Sequence, residues 1–301
     1  MTGANGHLGR RLLRHLAAER GGVPRALVRS RTAADSLANL AGAPQVEVWT
    51  ADYSDAPALE QALEGCARVA HLAGILKETR TSRYVDAHER STAALARAAE
   101  RAGVRRIVYL SIVGAAPDAR NPCLASKGRA ERILREGKVP STVLRVPMVL
   151  GPGELAASAL RARARARFAW LVRGGASLEQ PLDAEDLVRG LVRALEYAGD
   201  QHRAFDLVGP ESLPRRELLA RAAALLGTQP RVVPIPYALA RLAARAFEAL
   251  SANPPLTPAM LGVLEHDDRL DPKPACRALG LQLTPLDETL RRCLETPRDP
   301  R

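Results

Sequence analysis

Short apolar runs alternate with amphipathic stretches through the first half of the chain. Arg25-Ala26-Leu27-Val28, Val46-Glu47-Val48-Trp49 and Ala67-Arg68-Val69-Ala70-His71-Leu72 read as strands. Arg105-Arg106-Ile107-Val108-Tyr109-Leu110 and Ser141-Thr142-Val143-Leu144-Arg145-Val146 continue the series. Between them lie segments with apolar residues at helical spacing, notably Thr92 to Arg101, which Gly103 closes. Strands alternating with helices predict a parallel, doubly wound α/β sheet.

The rhythm changes at Pro147 and the Gly151-Pro152-Gly153 turn. A helical stretch follows that carries Arg161, Arg163, Arg165 and Arg167; spacing by two wraps these charges around the helix. It reads as a solvated, mobile helix, with a lid or a contact to an anionic surface as the sharper alternative. Pro181 to Val188 opens a helix running to Tyr197 with acidic residues in its first turn, and Ala204 to Val208 reads as a further strand. From Pro214 onward the pattern is mainly helical and interrupted by proline, as in a smaller domain on the substrate side of an α/β enzyme.

Gly3, Gly6 and Gly9 lie within Thr2-Gly3-Ala4-Asn5-Gly6-His7-Leu8-Gly9, directly ahead of an apolar helical run from Leu8 to Leu16. A backbone that approaches a pyrophosphate closely has no room for side chains, and a helix N-terminus offers free amides and a favourable dipole to a phosphate. The pattern therefore predicts a Rossmann-type dinucleotide site at Gly3, Asn5, Gly6, His7, Leu8 and Gly9. Residues 1–150 with about 178–210 form the expected dinucleotide-binding domain, and 151–177 with 211–301 the smaller C-terminal one. The strand that should precede the glycine turn is missing, with Met1 standing where several apolar residues belong. The expectation is a misassigned or truncated start, with Met1 an internal residue.

Composition narrows the functional classes. The chain has 301 residues, 47% of them hydrophobic, and no apolar run approaching eighteen residues, so no transmembrane helix is expected. Cys66, Cys123, Cys276 and Cys293 are scattered, which indicates neither a metal site nor a disulfide framework and points to a reducing cytoplasm. A net charge of +11 invites a nucleic-acid reading, but aromatics are only 3%, leaving few platforms for base stacking. Only Lys77, Lys127, Lys138 and Lys273 among the 44 basic residues are lysine, so much of the charge follows an arginine-rich composition of the kind a GC-rich genome encodes. Nucleic acid is disfavoured; an anionic membrane surface or an acidic partner stays open.

About twenty residues beyond Gly9, a dinucleotide fold places the group that reads the adenosine ribose: a carboxylate for NAD, an arginine for NADP. Arg29 stands there with Arg31 beside it and no carboxylate on the preceding strand, so NADP(H) is favoured over NAD(H). Asp52 follows the next strand and suits the adenine amino group. His71-Leu72-Ala73-Gly74 ends the next and would line the cofactor's centre, with His71 itself read either as a packed strand residue or as a catalyst.

Together with Tyr109-Leu110-Ser111 and Leu144-Arg145-Val146-Pro147, these motifs resemble the extended and atypical short-chain dehydrogenase/reductase superfamily over nearly the whole chain. The resemblance implies a catalytic Ser-Tyr-Lys set in which tyrosine and lysine share one helix as Y-x-x-x-K. Ser111 matches the serine and Lys127 the lysine, but the tyrosine position is Cys123. It also implies that Pro147, His71, Ala73, Gly74 and Lys127 contact the cofactor. The C-terminal runs Val232 to Phe247, Pro255-Leu256-Thr257 and Leu279 to Leu286 are similar to the dinucleotide-binding accessory subunit of respiratory complex I and its bacterial relatives. That likeness implies NADPH held as a structural or sensing ligand, a cytoplasmic chain, and association with a respiratory complex or the inner membrane surface. Three functions follow as expectations. The first is an NADP(H)-binding protein with weak or no dehydrogenase activity and an assembly, sensing or regulatory role. The second is an active oxidoreductase or epimerase on a quinone, lipid-like or sugar substrate. The third is a nucleic-acid-binding regulator.

Overall fold

A parallel sheet carries the first half of the protein. The computed structural model describes residues 1–18, 22–37, 46–199 and 201–295. In chain order these begin with α1 (His7–Ala18), β1 (Arg25–Val28), α2 (Arg31–Asp35), β2 (Glu47–Thr50), α3 (Ala56–Leu63) and β3 (Arg68–His71). Then come α4 (Ser91–Arg101), β4 (Arg106–Ile112), α5 (Pro122–Glu136) and β5 (Ser141–Val146). A π-helical turn, Val85–Arg90, runs straight into α4. β1 pairs parallel with β2, and β3 parallel with β4. The fold is a Rossmann-type α/β arrangement, as the alternation of patterns predicts.

Met1 and Thr2 bridge β1 and β3. Thr2 makes parallel bridges to Leu27 on β1 and to His71 on β3. Leu27 N–H donates to Met1 O at 2.7 Å, and Thr2 N–H donates to Ala70 O at 3.0 Å. These two residues link the β1–β2 pair to the larger sheet and pair backbone groups of Leu27 and Ala70. Leu59, Leu95, Ala98, Ile107, Tyr109 and Leu134 form the main core, and Ala4, Leu13, Ala26 and Val28 a second cluster.

The chain continues with β6 (Val149–Leu150), α6 (Leu155–Arg165), β7 (Phe168–Val172), β8 (Leu178–Glu179), β9 (Leu182–Asp183), α7 (Ala184–Glu196), β10 (Arg203–Asp206) and β11 (Leu213–Pro214). It ends with α8 (Arg215–Leu225), β12 (Arg231–Ile235), α9 (Tyr237–Leu250), α10 (Pro258–Leu264), α11 (Lys273–Leu279) and α12 (Leu286–Glu295). β10 joins β5, β4 and β3 in one four-stranded sheet. Two compact units result: Met1–Arg145 with Val188–Phe205, and Val146–Leu187 with Asp206–Arg301. In the second, α6, α8 and α12 pack around Leu160, Leu171, Leu218, Leu219 and Leu290.

The second unit departs from the sequence expectation at two places. The arginine-bearing helix ends at Arg165, so Arg167 belongs to the link into β7. Arg231–Ile235, read as part of a helical region, is a strand parallel to β7. Pro234 disguises it; a residue without an N–H is tolerated here because β12 pairs with one neighbour only.

Candidate functional site

The glycine turn is defined by what cannot fit into it. Gly3 has φ of +68°, and a Cβ there would lie 3.0 Å from Ala73 N. A Cβ on Gly9 would stand 2.3 Å from Gly3 O, so α1 can pack onto the turn only through glycine. Asn5, Gly6 and His7 are exposed at the start of α1, whose first turn carries no acidic residue. Leu8 is half-buried one residue further on. The result is a side-chain-free helix N-terminus without a competing carboxylate, which suits an anionic diphosphate.

Tyr53 braces this turn from below. Its hydroxyl donates to Leu27 O at 2.7 Å and accepts from Gly3 N–H at 3.0 Å, linking the turn to β1. Sequence reasoning stopped at the adjacent Asp52 and missed it; an aromatic residue just past a strand end was the available signal. Asp52 itself is exposed, with Oδ1 accepting from both Ser54 N–H and Ser54 Oγ at 2.8 Å. These bonds, assisted by the charge of Arg29, hold its carboxyl below the usual range. Arg29 is exposed and its guanidinium stands 5.8 Å from the Tyr53 ring centroid; Arg31 opens α2 on the same exposed corner.

His71 lies beneath the turn rather than at its surface. It is fully buried, with Nδ1 2.7 Å from Thr2 Oγ1 and Nε2 3.1 Å from Thr92 Oγ1. Burial, with the charge of Lys127 adding to it, drives its pKa down to about 3. Its imidazole is therefore a neutral cross-link between Thr2, β3 and α4. Ala73 and Gly74 continue from it past the end of β3; Ala73 N–H donates to Thr2 Oγ1 at 3.4 Å.

A second cluster sits at the start of α5. Asn121 caps this helix by accepting from Cys123 N–H at 2.9 Å and Leu124 N–H at 3.3 Å, and Pro122 takes the first helical position. The cap fixes the register that puts Cys123 and Lys127, four residues apart, on one face. Lys127 Nζ donates to Leu110 O at 2.8 Å and lies 4.6 Å from the Tyr109 ring centroid. A Cβ on Gly74 would come within 2.9 Å of that ammonium, so Gly74 leaves the lysine its place. Burial lowers the Lys127 pKa to about 8. Cys123 is also fully buried; its thiol donates to Ile75 O at 3.8 Å, and desolvation pushes it up to about 11 against the pull of Lys127.

Two residues that the sequence reading did not single out complete this cluster. His88, on the π-helical turn, accepts from Ile75 N–H through Nε2 at 3.1 Å, which leaves the proton on Nδ1 without a partner among the described residues. Burial and then the charge of Lys127 lower its pKa to about 3. Tyr84 stacks on His88 with centroids 5.6 Å apart, donates to Leu76 O at 2.8 Å, and stands within hydrogen-bonding reach of the Cys123 thiol. Ser111 follows Leu110, the residue whose carbonyl accepts from Lys127. Its hydroxyl donates to Glu131 Oε1 at 2.5 Å, and Glu131 is held in turn by Arg145 at 2.6 Å. Pro147 lies just beyond β5, in the second unit.

A family model described as NAD(P)H-binding matches residues 3–168, and the chain belongs to that family. It is 28% identical over 236 residues to the ceramide reductase of Caulobacter vibrioides, covering 78% of this chain and 73% of that protein. It is 27% identical over 245 residues to mitochondrial subunit 9 of the NADH dehydrogenase (ubiquinone) 1 alpha subcomplex of Arabidopsis thaliana, covering 79% of this chain and 60% of that protein. A nucleoside-diphosphate-sugar epimerase from Pseudomonas aeruginosa superposes with a TM-score of 0.73 at 25% identity, over 98% of this chain and 95% of that one. The chain therefore has the fold of the short-chain dehydrogenase/reductase and epimerase class and binds a nicotinamide dinucleotide. The residues fit such a group: Gly3, Gly6 and Gly9 leave the diphosphate its space. When bound, the nicotinamide supplies or accepts a hydride.

Proposed function

We propose that this protein binds NADP(H) and performs ordinary carbonyl reduction weakly or not at all, serving as a cofactor-stabilised assembly, sensing or regulatory protein. The observation that carries the reading is the Cys123 thiol, buried and held up to about 11, at the helix position four residues before Lys127. A thiol there stays protonated at neutral pH, reaches several Å less far than a phenol, and is a weak hydrogen-bond donor. A carbonyl oxygen gaining charge during hydride transfer would lack its proton donor, at a typical cost of roughly 10²–10⁴ in rate. Lys127, charged below its pKa of about 8, remains suited to the hydroxyls of the nicotinamide ribose. Arg29 and Arg31, exposed at the end of β1, support a 2′-phosphate. Resemblance to a respiratory-complex subunit supports a non-catalytic role, although the chain spans only 60% of that relative.

Calorimetric titration with NADPH and NADH tests the cofactor choice. NADPH should bind at least about tenfold more tightly, in line with a charge-assisted phosphate contact; equal affinity overturns the Arg29 assignment. Cys123→Tyr tests the chemistry. It should create NADPH-dependent reduction of simple carbonyl compounds where the wild type has none. A second reading, an active reductase on a lipid-like, quinone or sugar substrate with another proton donor, is favoured by the similarity to a ceramide reductase. Turnover by the wild-type chain would decide for it.

A further inference from the structure

The helix α9 presents its apolar side to solvent. Among its fourteen residues only Ala240 and Ala244 are buried. Leu239, Leu242 and Leu250 are 57%, 64% and 86% exposed, and with Ala243 and Ala246 they recur at the i, i+3, i+4, i+7 spacing that makes one stripe. Phe247, 44% exposed, lies between this stripe and the buried alanines. On the opposite flank Arg241 and Arg245 are exposed, and neither forms an ion pair among the described residues. An isolated exposed leucine needs no explanation, but a stripe of leucines beside a row of unpaired arginines does.

The same unit carries basic and apolar groups together elsewhere. Trp170, 62% exposed, and Phe168 point away from the core that Ala169 and Leu171 join. Arg167 lies over the Phe168 ring at 5.3 Å, and Arg231, also exposed, pairs in register with Phe168. No helix among the described residues is long and apolar enough to cross a membrane. Leucine on one face with arginine on the flank is the composition of a helix lying in a lipid–water interface, where apolar side chains enter the acyl boundary and guanidinium groups meet anionic headgroups.

We propose that α9 docks this protein on an anionic lipid surface, with Leu239, Leu242 and Leu250 entering the bilayer boundary and Arg241 and Arg245 pairing with lipid phosphates. Two arginines against the single carboxylate of Glu248 leave this flank of α9 net positive, which complements an anionic lipid surface.

Flotation of the full chain with vesicles tests it. The wild type should float with vesicles containing phosphatidylglycerol in phosphatidylcholine, and bind at least about tenfold less to phosphatidylcholine alone or in high salt. L239S/L242S/L250S should abolish flotation. R241Q/R245Q should reduce it and remove most of its salt dependence. These side chains contribute little to the core, so both variants should retain the wild-type thermal midpoint and NADPH affinity, which are measured in parallel. A wild-type chain that stays unbound with both vesicle types overturns the proposal, as do variants that float like the wild type. Concentration-dependent self-association without vesicle binding, lost in the serine variant, overturns it in favour of a second copy.

Discussion

The glycine turn and the start of α5 are both parts of the NAD(P)H-binding unit, yet they are built on opposite principles. The turn is specified by absence: Gly3 and Gly9 matter because a Cβ would strike Leu72, Ala73 or the turn's own carbonyls. The α5 cluster is specified by presence, through Cys123, Lys127, His88 and Tyr84 crowded around Ile75 and Gly74. Backbone constraints admit one residue type. A side-chain cluster can exchange a tyrosine for a cysteine and keep its shape. Such a site can therefore retain its ligand while losing its chemistry, and the two regions should fail in different ways.

Gly9→Ala should give the largest effect. The added Cβ meets Gly3 O and Ala4 O at 2.3 and 2.7 Å, both backbone atoms that cannot rotate away. Overpacking of this kind costs about 3 kcal/mol. Thermal denaturation should show a lowered midpoint, and calorimetry should show NADPH affinity reduced by two orders of magnitude or more. A variant that folds and binds normally would remove the distinction between the two regions.

The different legibility of the two regions follows from the same physics. Gly3, Gly6 and Gly9 were readable because spacing alone encodes a close backbone approach. Lys127 and Cys123 were readable because helical spacing sets their common face. Tyr53 and His88 were not, since each works through a contact across at least thirteen residues of chain, to Gly3 and Ile75. Ser111 shows the limit most plainly. Its position at the strand end follows from sequence, but the direction of its hydroxyl depends on Glu131, twenty residues away. β12 escaped notice because Pro234 argues locally for a break while pairing with β7 decides otherwise.

A pH-dependent effect should appear in acid. His71 beneath the turn and His88 beside α5 are both buried and neutral, each with a folded-state pKa of about 3 against an ordinary value of 6.5. The unfolded chain takes up these protons first, so the stability they contribute is fully present above pH 6.5 and is lost as pH falls toward 3. Each should add a slope of about 1.4 kcal/mol per pH unit within that window. Urea midpoints measured from pH 7 to pH 4 should decline, and His88→Asn should flatten the decline by one histidine's share. An unchanged slope in that variant would mean that His88 titrates as a solvent-exposed group.

Ser111→Ala should have the smallest effect and separates the two regions from the remainder of the sheet. The hydroxyl donates to Glu131, whose carboxylate keeps its bonds to Arg145 when the serine is removed. The expected loss is about 1 kcal/mol, that of one hydrogen bond whose acceptor stays partnered. NADPH affinity should change by less than about twofold, because the hydroxyl bonds Glu131 and neither the glycine turn nor the Lys127 ammonium itself. Measured in the Cys123→Tyr background, Ser111→Ala carries a sharper consequence. If reduction created by the tyrosine survives loss of the serine, the phenol and Lys127 suffice. Loss of that reduction by two orders of magnitude with thermal stability unaltered would show that the hydroxyl leaves Glu131 to meet the substrate, and the division between a structural serine and a chemical α5 face would fall.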